Sequence, residues 1–193
     1  MTLSRPFGSL PLFAWNVIHA DPPWHFSNYS EEGEGRNACR HYDTMSIDDI
    51  AALPVGELAA GDCALFLWVT DPLLPEGLQV MRAWGFRYTT VAFTWAKRSR
   101  RDTGWHMGTG YYTRANPETC LLGMTGHMRR ADAGVRQLIV APVREHSRKP
   151  DEVYVGIERL FGSTPSRLDL FSRQQRSGWT SWGNQTDKFE AVV

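Results

Sequence analysis

The hydrophobic positions fall into short continuous runs, set between segments whose apolar residues recur every three or four positions. "FAWNVIHA" (13–20), "CALFLWV" (63–69), "TCLLGMTG" (119–126), "RQLIVAPV" (136–143) and "SRLDLFSR" (166–173) are runs of the buried-strand type. "FRYTTVAFTWA" (86–96) is rich in β-branched and aromatic residues and reads as a further strand. Helical spacing begins after Ser46, an N-cap with Asp49 three residues on and Ile47, Ile50 and Ala51 on one face. "PLLPEGLQVMRAWG" (72–85) reads as a helix closed by Gly85, and "KPDEVYVGIERLF" (149–161) as one opened by Pro150 and closed by Gly162. Residues 25–45 and 97–118 follow neither rhythm and read as two long loops, of the kind usually tied to function or disorder. The tail "SGWTSWGNQ" (177–185) is polar and aromatic.

Alternation of strands with helices predicts an α/β fold, a mostly parallel sheet with helices on both faces. Ligands of such sheets bind outside the carboxyl ends of the strands. Both long loops follow predicted strands, as do "DPPW" (21–24) and "SRQQR" (172–176), so all four are expected on one edge. No repeat or linker divides the chain, and one domain over 1–193 is expected.

Composition adds limits. In 193 residues, 42% hydrophobic and 22% charged is ordinary for a globular protein. With 21 basic and 21 acidic residues, net charge does not announce a polyanionic partner, which leaves local clusters to do so. Eight tryptophans are many, and flat rings serve both cores and base stacking. Cys39, Cys63 and Cys120 are too scattered for a metal site or a disulfide framework, so no metal is expected and a reducing cytoplasm fits. No apolar run reaches the roughly 18 residues of a membrane span, and no cleavable leader follows Arg5, so a soluble cytoplasmic protein is expected.

The strand end "VIHADPPW" (17–24) raises a chemical question, because one proline would have sufficed to stop a strand. One answer is a turn beside a core tryptophan. The other is a site for an exocyclic amino group, whose nitrogen lone pair is delocalised into its ring. Asp21 would accept one N–H and the Pro22 carbonyl, held by two rigid prolines, the other. Trp24 would offer a stacking face, and an electrophile in line with the nitrogen would complete the scheme.

"DPPW" is the signature form of the S-adenosylmethionine-dependent amino-methyltransferase motif, and the chain resembles the MT-A family of adenine-N6 methyltransferases. The resemblance runs in order through "ADPPW" (20–24), "HYDTMS" (41–46), "LFLWVTD" (65–71), "FTWAK" (93–97), "NPETCLLG" (116–123), "HSRKPDEVYVGIERLF" (146–161), "LDLFSR" (168–173) and "GWTSWGNQ" (178–185). It implies a Rossmann-like class I methyltransferase fold of permuted order, with the catalytic motif first and the main cofactor strand last. It assigns catalysis to Asp21, Pro22, Pro23 and Trp24. It assigns S-adenosylmethionine to Asp21, Lys149, Phe171, Arg173, Gln175, Asn184 and Gln185, with "LDLF" presenting Ser172 and Arg173. It assigns the substrate nucleotide to Tyr42, Trp68, Trp95, Lys97, Asn116 and Glu118. Each has a plainer reading: core indoles for Trp68 and Trp95, a helix start for Lys149, an Arg114 partner for Glu118. The run "RQQRSGW" (173–179) is where the chain departs from the family pattern.

The resemblance implies methyl transfer to adenine N6 in nucleic acid, with the adenine flipped out or single-stranded. Compactness favours DNA over RNA. Two competing functions, an inactive nucleic-acid-binding paralogue and methylation of a different amino group, are disfavoured by the intact motifs and by the breadth of the match. Lys97, Arg98, Arg100, Arg101, Arg114, Arg129 and Arg130 form an expected phosphate-binding set, in which about four contacts would give a log–log salt slope near −4. His106, Tyr111 and Tyr112 are placed to wedge or stack against an extruded base. A homodimer is left open.

Overall fold

The computed structural model describes residues 6–25, 44–145, 148–163 and 165–192. Its main sheet has seven strands. In chain order these are β1 (Trp15–Ala20), β2 (Ala59–Val69), β3 (Arg87–Arg98), β4 (Glu118–Thr125), β5 (Leu138–Pro142), β6 (Arg167–Leu170) and, after a short β7 (Gln174–Arg176), β8 (Thr180–Trp182). β7 pairs with β9 (Phe189–Val192) in a separate two-stranded sheet. The helices are α1 (Ile47–Ala52), α2 (Leu74–Ala83) and α3 (Asp151–Phe161).

The order across the main sheet is β5-β3-β4-β2-β1-β6-β8. Every adjacent pair is parallel except the two that β4 makes with β2 and β3. The carboxyl ends of six strands therefore share one edge with the amino end of β4. β1 is central, and its Val17, Ile18 and Ala20 are fully buried, which explains a continuous apolar run rather than an alternating one.

The faces are covered by different helices. Ile18, Ala20, Leu65, Leu67 and Val69 pack with Ile50 of α1 and with Val80 and Met81 of α2. Val17, Phe66, Trp68, Phe93 and Trp95 pack with Val153, Ile157 and Phe161 of α3. Gly77 lets α2 lie on β2, because a Cβ there would collide with the Val69 side chain. Ser46 caps α1 as expected, accepting from the Asp49 N–H at 3.1 Å.

The Rossmann-like α/β arrangement is observed, with three departures in detail. β2 starts at Ala59 rather than 63. α3 starts at Asp151: Pro150 is its N-cap with extended backbone (ψ 144°), and the proline ring disfavours helical geometry at Lys149 before it. The tail 177–185 contributes β8 to the main sheet, a strand of three residues, too short to carry a periodic signal.

Candidate active site

Asp21 leaves β1 at the shared edge, and four charged side chains meet there. Lys149 Nζ lies 2.7 Å from Asp21 Oδ2 and 3.4 Å from Glu118 Oε1, and Lys97 Nζ lies 3.2 Å from Glu118 Oε2. The order Asp21–Lys149–Glu118–Lys97 alternates in sign, which is how buried charges are tolerated. The Lys149 side chain is only 6% exposed and lies over the Trp68 ring, 5.2 Å from its centre. Lys97 lies over Trp95 in the same way at 5.1 Å. Register explains the meeting: Ala20 pairs with Leu67 and Leu170, and Trp95 with Glu118.

The two carboxylates shift in opposite directions. Burial raises the Asp21 pKa and the neighbouring Glu118 charge adds to it, outweighing Lys149. Burial acts on Glu118 too, but Lys149 and Lys97 together overcome it and hold that carboxyl below the usual range. Opposed shifts in one cleft are what acid–base and charge-stabilising sites display.

The DPPW turn is braced on several sides. The Pro22 carbonyl accepts the Trp24 N–H at 2.8 Å, and the Pro23 carbonyl accepts the Met45 N–H at 2.9 Å. One lone pair of the Pro22 carbonyl is thus used, and a second remains. The Trp24 ring departs from the expected open stacking face. It is 5% exposed, packed in the core, and donates its indole N–H to the Trp68 carbonyl at 3.0 Å. In this position it anchors the turn. Trp68 and Trp95 are also buried, so their faces meet lysines rather than open space.

Beside Asp21 lies a cavity of about 190 Å³, lined on its far side by Phe171, Ser172, Arg173, Trp182, Gly183, Asn184 and Gln185. Two turns build that wall. Phe171 follows β6 with φ 62°, a left-handed backbone that an aromatic residue rarely adopts. Gly183 follows β8, where a Cβ would stand 2.6 Å from the Ser172 carbonyl oxygen, so only glycine lets the two turns close together. Arg173 Nε donates to Gln185 Oε1 at 3.1 Å, tying the turns at the rim.

The remaining sequence assignments divide. Asp21, Pro23, Phe171, Arg173, Asn184 and Gln185 line one cavity, and Lys149, Glu118 and Lys97 adjoin it through Asp21. Gln175 does not join them. It is exposed on β7, and its neighbour Gln174 lines the small cavity beneath Lys149, because alternate residues of a strand face opposite ways. Asn116 clamps the backbone: it accepts from the Lys97 N–H at 3.0 Å and donates to the Lys97 carbonyl at 2.9 Å. Glu118 pairs with the two lysines, whereas Arg114 donates to the Gly108 carbonyl. Arg129 and Arg130 follow the opposite end of β4 and so leave the expected phosphate-binding set. Tyr42 lies outside the described residues.

Sequence reasoning passed over a buried polar cluster beneath the site. His19 and Asp169 are register partners on β1 and β6, with His19 Nδ1 2.6 Å from Asp169 Oδ1. Trp68 donates to His19 Nε2 at 2.8 Å, which leaves the imidazole proton on Nδ1 for Asp169. Asp169 Oδ2 accepts from Tyr154 at 3.1 Å and Ser172 at 2.8 Å. Burial and the Asp169 charge push the Tyr154 phenol well up, so it stays a donor. The signal was present: one titratable residue interrupts each of two otherwise apolar strands, "VIHA" and "LDLF".

Among the described residues, no group of three His, Cys, Asp or Glu side chains is placed to hold a metal ion. Nor is any helix there long and apolar enough to cross a membrane.

Comparison with known proteins agrees with this geometry. The MT-A70 family model matches residues 15–185. The chain is 32% identical over 198 residues to the type II methyltransferase M.MunI of a Mycoplasma species, covering 94% of this chain and 82% of that protein. It is 34% identical over 187 residues to an N(6)-adenosine-methyltransferase MT-A70-like protein of Arabidopsis thaliana, with 94% of this chain but 25% of that protein covered. The human N(6)-adenosine-methyltransferase catalytic subunit is 32% identical over 175 residues, 89% of this chain and 28% of its own length. A match from β1 to the turn after β8, over the strands that carry Asp21, Lys149 and Gln185 to one edge, places the chain in the MT-A70 family of adenine-N6 methyltransferases.

Proposed function

We propose that this chain, acting as one domain over 1–193, transfers a methyl group from S-adenosylmethionine to the N6 amino group of adenine in DNA. The observation that carries the reading is that Asp21 belongs at once to the DPPW turn, the charged cluster and the wall of the cavity.

The cavity suits the cofactor. Asp21 offers a carboxylate for its ammonium group, Phe171 and Trp182 offer apolar faces, and Asn184 and Gln185 offer amides at the rim. When bound, S-adenosylmethionine supplies an electrophilic methyl group. Lys149 occupies Asp21 Oδ2, which leaves Oδ1 to accept one N–H of the target amino group. The second lone pair of the Pro22 carbonyl accepts the other. Lys149 also offsets the repulsion between Asp21 and Glu118, and the cluster beneath holds Trp68 under Lys149. Lys97 and Glu118 flank the place where the base enters.

The polymer is read as DNA by likeness to the type II methyltransferase, which the chain matches at 32% identity over 82% of that protein. The test is methyl transfer from labelled S-adenosylmethionine to duplex DNA, single-stranded DNA and RNA, with nucleosides identified by mass spectrometry. N6-methyladenine in DNA that vanishes with Asp21→Ala is expected. Methylation of RNA alone overturns the polymer, and methylation of no polymer overturns the reaction.

A further inference from the structure

The loop between β3 and β4 exposes three aromatic rings and a thioether. Trp105, Met107 and Tyr111 are 62%, 65% and 48% exposed, and Tyr112 is wholly exposed. None of these side chains lies in either core cluster.

The loop has a fixed base and a projecting tip. The base is clamped by Asn116 to both backbone groups of Lys97, by the His106 N–H to the Lys97 carbonyl at 2.9 Å, and by the Gly108 N–H to the Ala115 carbonyl at 2.8 Å. The tip turns sharply at Gly110, where a Cβ would collide with the Thr113 carbonyl oxygen. Tyr112 stands in that turn. The loop's two anchors, Lys97 and Glu118, are an ion pair of the charged cluster, so the loop projects from the edge that holds the proposed base site.

Charge separates this loop from the rest of the molecule. The whole chain is neutral, yet residues 97–117 hold five basic side chains and one acid, Asp102. Arg98 pairs with Asp102 at 2.8 Å. Arg100 and Arg114 donate to carbonyls, and among the described residues neither they nor Arg101 has a carboxylate partner. Exposed rings among these guanidinium groups fit a polyanion made of flat, stackable units.

We infer that this loop is a base-opening wedge, with Tyr112 entering the stack of duplex DNA as the target adenine leaves it and Arg100, Arg101 and Arg114 holding the flanking phosphates. The inference rests on the adenine reading above and adds the strand state of its substrate: a duplex that the enzyme opens. An inserted side chain takes over stacking lost by the extruded base, so the wedge matters where the base must be extruded and not where it is already free.

The experiment compares wild type with Tyr112→Ala and Tyr112→Phe. Methylation is measured on mixed-sequence duplex DNA and on the same DNA after strand separation. Affinity is measured by fluorescence anisotropy on a fully paired duplex and on one with abasic sites opposite adenines, where bases are already loose. Tyr112→Ala is expected to lose about tenfold on both paired substrates and less than twofold on the opened ones, with Tyr112→Phe near wild type. Equal losses on paired and opened DNA, or no loss on either, overturn the wedge. If the wild type methylates no DNA while its affinity shows the paired-only loss, the adenine reading fails and the wedge stands. If methylation proceeds without that loss, the reverse holds.

Discussion

Two concavities at opposite ends of the sheet differ in a way that separates chemistry from size. The one at the carboxyl edge measures about 190 Å³, and Asp21 lines it. The other, at the far end between β3, β4 and the end of α3, measures about 570 Å³ and is lined by Phe93, Leu122, Met124, Val135, Leu160 and Phe161 with Arg129 and Arg130 at its margin. The larger has no carboxylate in its lining, and its floor is simply the end of the hydrophobic core under α3. The smaller has a carboxylate of raised pKa, an adjoining alternating charge array and a backbone turn that only glycine allows. Convergent polar groups with perturbed pKa values, and not volume, mark the candidate site.

The sharpest way to break the comparison is to damage each concavity. Asp21→Ala is expected to lower methyl transfer by at least about 10²–10³-fold with little change in melting temperature, since it removes a preorganised acceptor. Phe161→Ala in the far groove should do the opposite: about 3–5 kcal/mol lost in denaturant titration, with kcat kept below the melting transition. An inactive but fully stable Phe161→Ala protein would mean that the far groove takes part in the reaction.

A pH series sharpens the role of Asp21, whose ionised form pairs with Lys149 and accepts an N–H more strongly than the protonated form does. Its folded pKa is raised, so the acid limb of kcat/KM is expected above the range of an ordinary aspartate. Lys149 pulls that pKa down, so the residual activity of Lys149→Met should have its acid limb at still higher pH. In the wild type Glu118 is depressed by Lys149 and Lys97 and stays ionised through that limb. A limb that moves to lower pH in Lys149→Met would contradict the assignment.

The same shift has a stability consequence. A group whose folded pKa is raised favours folding below its unfolded pKa, and that contribution is lost as pH rises through the folded value. At pH 7 the Asp21 charge is therefore held against its preference. Asp21→Asn should leave the melting temperature at pH 7 unchanged or higher, while methyl transfer is lost. A clear fall in that temperature would show that the carboxylate supports the fold.

The smallest expected effects test the separation of the arginines. Arg129→Ala with Arg130→Ala should change stability by no more than about 0.5 kcal/mol per site and leave the salt slope of DNA binding unchanged. Arg101→Ala should reduce that slope by about 1. Equal effects would return the far-end arginines to the phosphate-binding surface.

Much of this was legible along the chain because it is local. Buried strands on both faces must be continuous apolar runs, so "NVIHA" and "ALFLWV" declare themselves, and Ser46, Gly85 and Gly162 mark helix ends through their own backbone preferences. DPPW sits where a strand must stop; its residue types suited either a turn or an amino-group site, and the resemblance across the chain chose the second. Other features depend on partners far away in sequence. That β4 runs against its neighbours is what brings Glu118 to Lys149. Gln174 and not Gln175 faces the site because of where β7 sits. Trp24 turns into the core because the Trp68 carbonyl offers its indole a partner 44 residues on. His19 looked like one polar interruption in an apolar strand until β6 set Asp169 beside it. Local preference therefore determined the elements, and the resemblance carried by the motifs implied the reaction. Strand order, which only long-range burial decides, determined which charges meet and which side chains merely support them.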